Sequence, residues 1–408
     1  SEMCIRDRPS DRSSGRVASR HHPRVRGRAV LHRPYLSTPG GGHLMSSLLA
    51  RPTSSTIPGR PPFRVGSFSV VWRPRALTVS LLLLVAIVLL AAVSIGLGDY
   101  PVSPARVLEV LFTGQGTRIE RLVVLDWRMP RALTAILVGC ALGLSGALTQ
   151  SVTRNALASP DILGFTTGAS AAAVTVITLG GGAGGFLGWL SSIGIPLAAV
   201  LGAAVTATVM WALAWRRSTD SFRLVLFGII ISALLTSYIN FLMIRTELRD
   251  AAAAQFWLTG SLSTADWSKM WPIAIVVLVF TPLLAWIGHQ LLATLLGSDT
   301  ARALGQNVQG VQVLLLAAAV ALAAVAVSAA GPIGFVAFVA PQVALRLCNC
   351  SAPPLLASAL TGAALLLLAD ISTQTLLPVE LPVGILTSAI GGAFLIYLLV
   401  QRNRSTTA

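Results

Sequence analysis

Charge is what this sequence has least of. Only 11% of its 408 residues are Asp, Glu, Lys or Arg, against about 25% in an ordinary soluble domain. A soluble fold of that composition would expose apolar patches larger than monomers tolerate. Hydrophobic residues make up 54% and the mean hydropathy is +0.76. That excludes disorder for most of the chain, because low hydrophobicity is its signature. Cysteine is scarce as well. Cys4, Cys140, Cys348 and Cys350 form neither a disulfide framework nor a zinc pattern at a recognised spacing, and Cys348-Asn349-Cys350 is too tight for a conventional metal pair. Lysine is nearly missing: Lys269 is the one lysine among 30 basic side chains. A phosphate-binding loop ends its glycine-rich turn on a lysine, and Asp266-Trp267-Ser268-Lys269-Met270 has no such turn before it. The chain is therefore expected to be no ATPase by itself and to bind no cofactor directly. Any ATP would be used by a partner subunit.

What is there begins with arginine. Nine arginines (Arg6, Arg8, Arg12, Arg16, Arg20, Arg24, Arg26, Arg28, Arg33) precede Met45, and Arg51, Arg60, Arg64, Arg73 and Arg75 follow it. Such a run can attract anionic lipid or nucleic acid, but no aromatic interleaving supports a nucleic-acid module. Residues 1–75 read as a basic disordered tail, rich in Arg, Ser, Pro and Gly without apolar periodicity. Residues 1–44 read as an upstream segment that is not part of the real protein, with Met45 as its start. The rival reading is a cytoplasmic tail that helps to fix topology.

Uncharged runs then fill residues 76–404, one apolar domain, with 405–408 as a short C-terminal tail. A helix needs about 20 residues to cross the hydrocarbon. Ala76–Gly98, Ala132–Thr153, Leu224–Ile244, Met270–Gly288, Leu347–Ala369 and Leu381–Gln401 each fit one span. Ile162–Trp215 and Ala303–Leu345 each fit two, broken at the glycines between Gly180 and Gly188 and at Ala330-Gly331-Pro332-Ile333-Gly334. The fold class is an all-α polytopic membrane protein of ten transmembrane helices. Basic residues in the loops tie between the two sides; those from Arg51 to Arg75 break the tie in favour of N-in, C-in.

No ionisable group falls at mid-span, since Asp370 sits at a helix end and His289 at the inner end of span six. Ion-coupled carriers keep such groups inside, so a secondary transporter is disfavoured. The neutral polar residues Gln150, Asn240 and Gln342 either line a pathway or only bond helix to helix. If nothing inside couples to an ion gradient, energy must come from elsewhere, and an ATPase bound to a cytoplasmic loop could supply it. Ser298-Asp299-Thr300-Ala301-Arg302-Ala303-Leu304-Gly305 reads as a short helix, started by Ser298 or Asp299 and stopped by Gly305. It is either a coupling element or a plain connection.

Several stretches are familiar. Arg128-Met129-Pro130-Arg131-Ala132-Leu133, then Val138-Gly139 and Leu144-Ser145-Gly146-Ala147-Leu148-Thr149-Gln150, resembles the iron–siderophore and vitamin B12 (FecCD-type) permease family of ABC importers. So do Arg154-Asn155-Ala156-Leu157-Ala158-Ser159-Pro160-Asp161-Ile162-Leu163-Gly164, Trp257-Leu258-Thr259-Gly260-Ser261-Leu262 and Gly331-Pro332-Ile333-Gly334-Phe335-Val336. The loop Ala301–Asn307 and Leu381-Pro382-Val383-Gly384 belong to the same set. The resemblance implies inverted repeats of spans 2–5 and 7–10. It also implies a homodimer or a heterodimer with a related permease, two ATP-binding subunits and an extracytoplasmic siderophore-binding protein. Arg128 and Arg131 would receive acidic residues of that binding protein. Another arginine of some relatives would fall near Gln374. Asn155 and Leu157, with Ser221 and Phe222 opposite, would form a cytoplasmic gate; the usual proline there is Ala156.

The resemblance implies a permease for ferric siderophores in a bacterial inner membrane. Gln342 and Gly164-Phe165-Thr166-Thr167-Gly168 look most like the ferric-enterobactin branch. Vitamin B12 or haem permeases of the same family are the alternative.

Overall fold

The computed structural model describes residues 62–65, 68–71, 74–98, 100, 102–114, 116–180, 188–215, 221–295, 297–375 and 381–406. They fall into two units, Ser1–Val71 and Trp72–Ala408. The first holds a hairpin in which β1 (Pro62–Val65) runs antiparallel to β2 (Phe68–Val71), pairing Phe63 with Val70 and Val65 with Phe68. This corrects the expectation of an irregular tail up to residue 75. Phe and Val recur on both arms, and aromatic and β-branched side chains favour a pleated surface. Residues 1–44, and the reading of Met45 as the start, lie outside the described residues.

The second unit is helical. Helix α1 (Pro74–Gly96) is followed by α2 (Pro104–Thr113) and α3 (Arg118–Arg121). A π-helical stretch, Leu122–Arg128, leads unbroken into α4 (Met129–Thr153). Then come α5 (Phe165–Gly180), α6 (Gly188–Trp215), α7 (Ser221–Arg245) and the shorter α8 (Leu248–Leu258). After α9 (Trp267–Leu295) and the brief α10 (Ser298–Ala303) come α11 (Val308–Ala330) and α12 (Val336–Cys348). Helices α13 (Leu355–Thr375) and α14 (Val383–Thr406) complete the order. Among the described residues, six helices are long and apolar enough to cross a membrane. Four further apolar stretches are shorter: Phe165–Leu179, Trp267–Phe280, Val336–Cys348 and Val383–Leu398.

Helix α4 is the hub. Its apolar stretch is 78% buried, where that of α1 is only 6% buried. The cause is a stripe of glycines at helical spacing. Gly139 lies against Gly362 and Ala363, Gly143 against Ser358, and Gly146 against Ala337. Helices α4 and α13 therefore run antiparallel, backbone against backbone. Lipid is as apolar as leucine, so close packing and polar contacts must hold such helices together.

The apolar helices α5 and α12, with 16 and 13 residues, are too short to span alone. At about 1.5 Å per residue, α12 reaches about 20 Å, short of a hydrocarbon core about 30 Å thick. It begins beside Gly146, deep along α4, because the backbone turns back after Ala330. Gly331 takes φ +72° there and donates its N–H to Val327 O at 2.8 Å. Helix α5 likewise starts late, after the turns of residues 154–164.

Candidate functional site

At one end of the bundle the Arg128-Met129-Pro130-Arg131 turn is held from two directions. Arg128 Nη1 donates to Ile95 O at 2.9 Å and Gly96 O at 3.3 Å, and Nη2 donates to Tyr100 O at 2.7 Å. The last carbonyls of a helix have no intrahelical partner and carry its negative end. Arg128 thus caps α1. Arg131 points instead at α13, where Asp370 accepts from Nε at 3.2 Å and from Nη2 at 3.0 Å. Gln374 Nε2 adds a bond to Asp370 Oδ2 at 2.8 Å. Both arginines expected to meet a partner are therefore already engaged inside the chain, and the position read as replacing a further arginine, Gln374, steadies the carboxylate. Trp127, 62% exposed, stands next to Arg128 and suits a membrane–water boundary. Trp267 Nε1 donates to Leu125 O at 3.1 Å and fastens the π-helical stretch to α9.

Deeper in the bundle, Gln150 and Gln342 use their amides on each other and on backbone. Gln342 Nε2 donates to Gln150 Oε1 at 2.7 Å, and Gln150 Nε2 to Phe338 O at 3.1 Å. Arg346 Nη1 donates to Gln342 O at 2.8 Å. Both glutamines are buried, so in this structure they tie α4 to α12. Asn240 sits apart from them, exposed on α7.

The turn after α4 brings several marked residues together. Arg154 closes the helix in the left-handed region at φ 49°. Asn155 Oδ1 accepts from the Leu157 amide at 3.0 Å, fixing the turn by a side chain where Ala156 has no proline ring. Leu157 packs in a cluster with Phe338, Val339 and Leu398. Farther along, Asp161 stands between the start of α5 and the start of α12, lining one cavity with Ser159 and Phe335. A cavity of about 440 Å³ opens at this junction, lined by Leu157, Ser159, Asp161, Ile162, Phe335 and Phe338 among others. Ser221 and Phe222 open α7, but their side chains lie outside the described residues.

The candidate coupling segment forms α10. Its N-cap falls on Gly297, at φ 109°, rather than on Ser298 or Asp299, which stand inside the helix. This corrects the start expected from the sequence. Its end follows expectation: Gly305, at φ +81°, donates to Arg302 O at 2.9 Å and Gln306 to Ala301 O at 3.0 Å, the paired bonds of a Schellman motif. Arg302, Ala303, Leu304 and Gly305 are all exposed, and Leu304 is 67% exposed.

The site residues the sequence missed are Asp370 and Asp161. Asp370 was legible only as an acid near a helix end. Its burial and its partner are set by tertiary contact. Among the described residues, no group of three or more His, Cys, Asp or Glu could hold a metal ion.

An all-helical body of apolar helices, two of them starting at a shared buried junction, defines a multi-pass membrane protein. The chain belongs to the FecCD transport family, whose sequence profile matches residues 82–401. It is 37% identical over 337 residues to the ferric enterobactin transport system permease protein FepG of Escherichia coli (strain K12), covering 82% of this chain and 99% of that protein. It is 39% identical over 330 residues to the achromobactin transport system permease protein CbrC of Dickeya dadantii (strain 3937), covering 80% and 91% respectively. Among solved structures, a metal-chelate type ABC transporter in an inward-facing conformation matches with a TM-score of 0.69 and 26% identity. That match covers 79% of this chain and 99% of the other.

Proposed function

We propose that the chain is the transmembrane permease subunit of an ATP-driven importer for ferric siderophores, working in the bacterial cell membrane. The observation that carries this is the family match along residues 82–401, together with siderophore permeases aligned over nearly their whole length. In this reading ten spans cross the membrane with both termini inside, the short α5 and α12 counting as two of them. Two copies, or this chain and a related permease, stand on two ATP-binding subunits. An extracytoplasmic siderophore-binding protein docks at the Arg128–Arg131 end, and α10 receives the force of ATP hydrolysis at the other. Asn155 and Leu157 with Ser221 and Phe222 close the inner exit. Membrane lipid covers the apolar flanks of α1 and α7. Nucleic acid has no part.

The test is biochemical separation. Purified alone in detergent, the chain should hydrolyse no ATP above background. Reconstituted with a separate ATP-binding subunit and a binding protein, it should take up ferric siderophore. Robust hydrolysis by the isolated chain overturns the reading.

A further inference from the structure

The docking role of Arg128 and Arg131 leaves one question, which is why the second arginine is paired already. Its guanidinium is engaged on one edge only. Nε and Nη2 donate to Asp370, whereas Nη1 makes no hydrogen bond to any described residue. The Arg131 side chain is 19% exposed and that of Asp370 1% exposed, so the carboxylate lies beneath and the guanidinium reaches the surface. Asp370 is itself fixed from the next turn of α13 by Gln374.

We propose that Asp370 is a positioning residue: it holds one edge of the Arg131 guanidinium so that the other edge faces an incoming partner carboxylate. This rests on the docking reading above and adds to it. A guanidinium presents its donors in a rigid planar fork, so one carboxylate can hold the side edge while a second binds the end. A side chain fixed beforehand loses less freedom when the partner arrives. Arg128 is likewise fixed, by the carbonyls of Ile95 and Gly96 at the end of α1 and of Tyr100 beyond it. The two anchors thus have a set spacing before contact.

Positioning and simple electrostatics give opposite signs for one substitution. Asp370→Asn leaves the surface one charge more positive. If Asp370 only diluted the field, the variant would attract an acidic partner faster and hold it longer. If Asp370 positions Arg131, the variant releases the partner faster, because buried and partly buried charge contacts govern dissociation more than encounter.

The experiment uses the full chain assembled with its ATP-binding subunits in lipid nanodiscs, with the importer's own siderophore-binding protein as the probe. Association and dissociation rates are read per assembled complex, with assembly scored by gel filtration. Asp370→Asn should speed dissociation about tenfold with association unchanged or slightly faster. Arg131→Lys, which keeps the charge but not the fork, should behave alike. Should Asp370→Asn fail to assemble, Gln374→Leu leaves the ion pair whole and should still speed dissociation, to a smaller extent. Unchanged or slower dissociation in the assembled variants overturns the positioning role. Arg128→Glu with Arg131→Glu separates the two claims: if that pair leaves association unchanged at low and high salt, the docking reading itself fails.

Discussion

Two adjacent glycines on α14 should respond to alanine with opposite signs. A methyl group on Gly391 would collide with Cβ and Cγ of Phe335 and stand 2.7 Å from its Cδ1, whereas one on Gly392 meets nothing within 4 Å. The obstacle at Gly391 includes the Phe335 Cβ, which side-chain rotation cannot move. Phe335 is also constrained, with φ at 67° and its ring edge-on to Phe338 at 6.4 Å between centroids. Relief must come from a backbone shift of α12 or α14. Overpacking of this kind costs about 1–3 kcal/mol, offset by about 1 kcal/mol of helix propensity gained from alanine. Gly391→Ala should therefore destabilise by up to about 2 kcal/mol, and Gly392→Ala should stabilise by about 0.5–1 kcal/mol. Thermal unfolding of the full chain in detergent, followed by tryptophan fluorescence, would rank them. Melting of Gly391→Ala at or above Gly392→Ala would refute the steric clash at Phe335. Transport should fall with Gly391→Ala, since the displaced Phe335 also lines the cavity beside Asp161.

Gln150→Leu or Gln342→Leu alone leaves a buried amide without its partner and should cost about 1–3 kcal/mol. The double variant should cost less than the sum, and additive effects in a double-mutant cycle would show that the two amides do not act as a pair. Glu120 should make α3 acid-sensitive. The Arg106 side chain, then the Thr117 amide, hold its carboxyl below the ordinary carboxylate range. A depressed folded-state value stabilises at neutral pH and is lost as pH falls through it. Amide exchange at Thr117 and Glu120 should thus rise in acid, relative to its intrinsic rate, and Glu120→Gln should remove that pH dependence.

Much of the architecture was legible because its causes are local. The break after Ala330 follows from the glycine and proline just beyond it, and uncharged runs of fixed length announce helices wherever they lie. The end of α10 was readable for the same reason: Gly305 takes a positive φ that other residues resist. Its beginning was misread because Ser and Asp are favoured N-caps, while the chain uses Gly297 one residue earlier. The hairpin at 62–71 escaped notice because its few apolar residues sit in an arginine-rich background.

The site was less legible, and the distances along the chain explain why. Arg131 and Asp370 lie 239 residues apart and Gln150 and Gln342 lie 192 apart. Composition could mark these residues as unusual in apolar surroundings, yet it could not say which polar group answers which. Packing decides that. Gly139 and Gly143 let α13 approach α4 along its length, which sets Asp370 level with Arg131. The same close approach of Gly146 to Ala337 sets Gln342 level with Gln150. Within lipid there is no water to satisfy either member of a pair left alone, so the glycine stripe and the polar pairs must be built together. The residues that looked most like bare packing therefore determine where the candidate docking arginine and the buried amides stand.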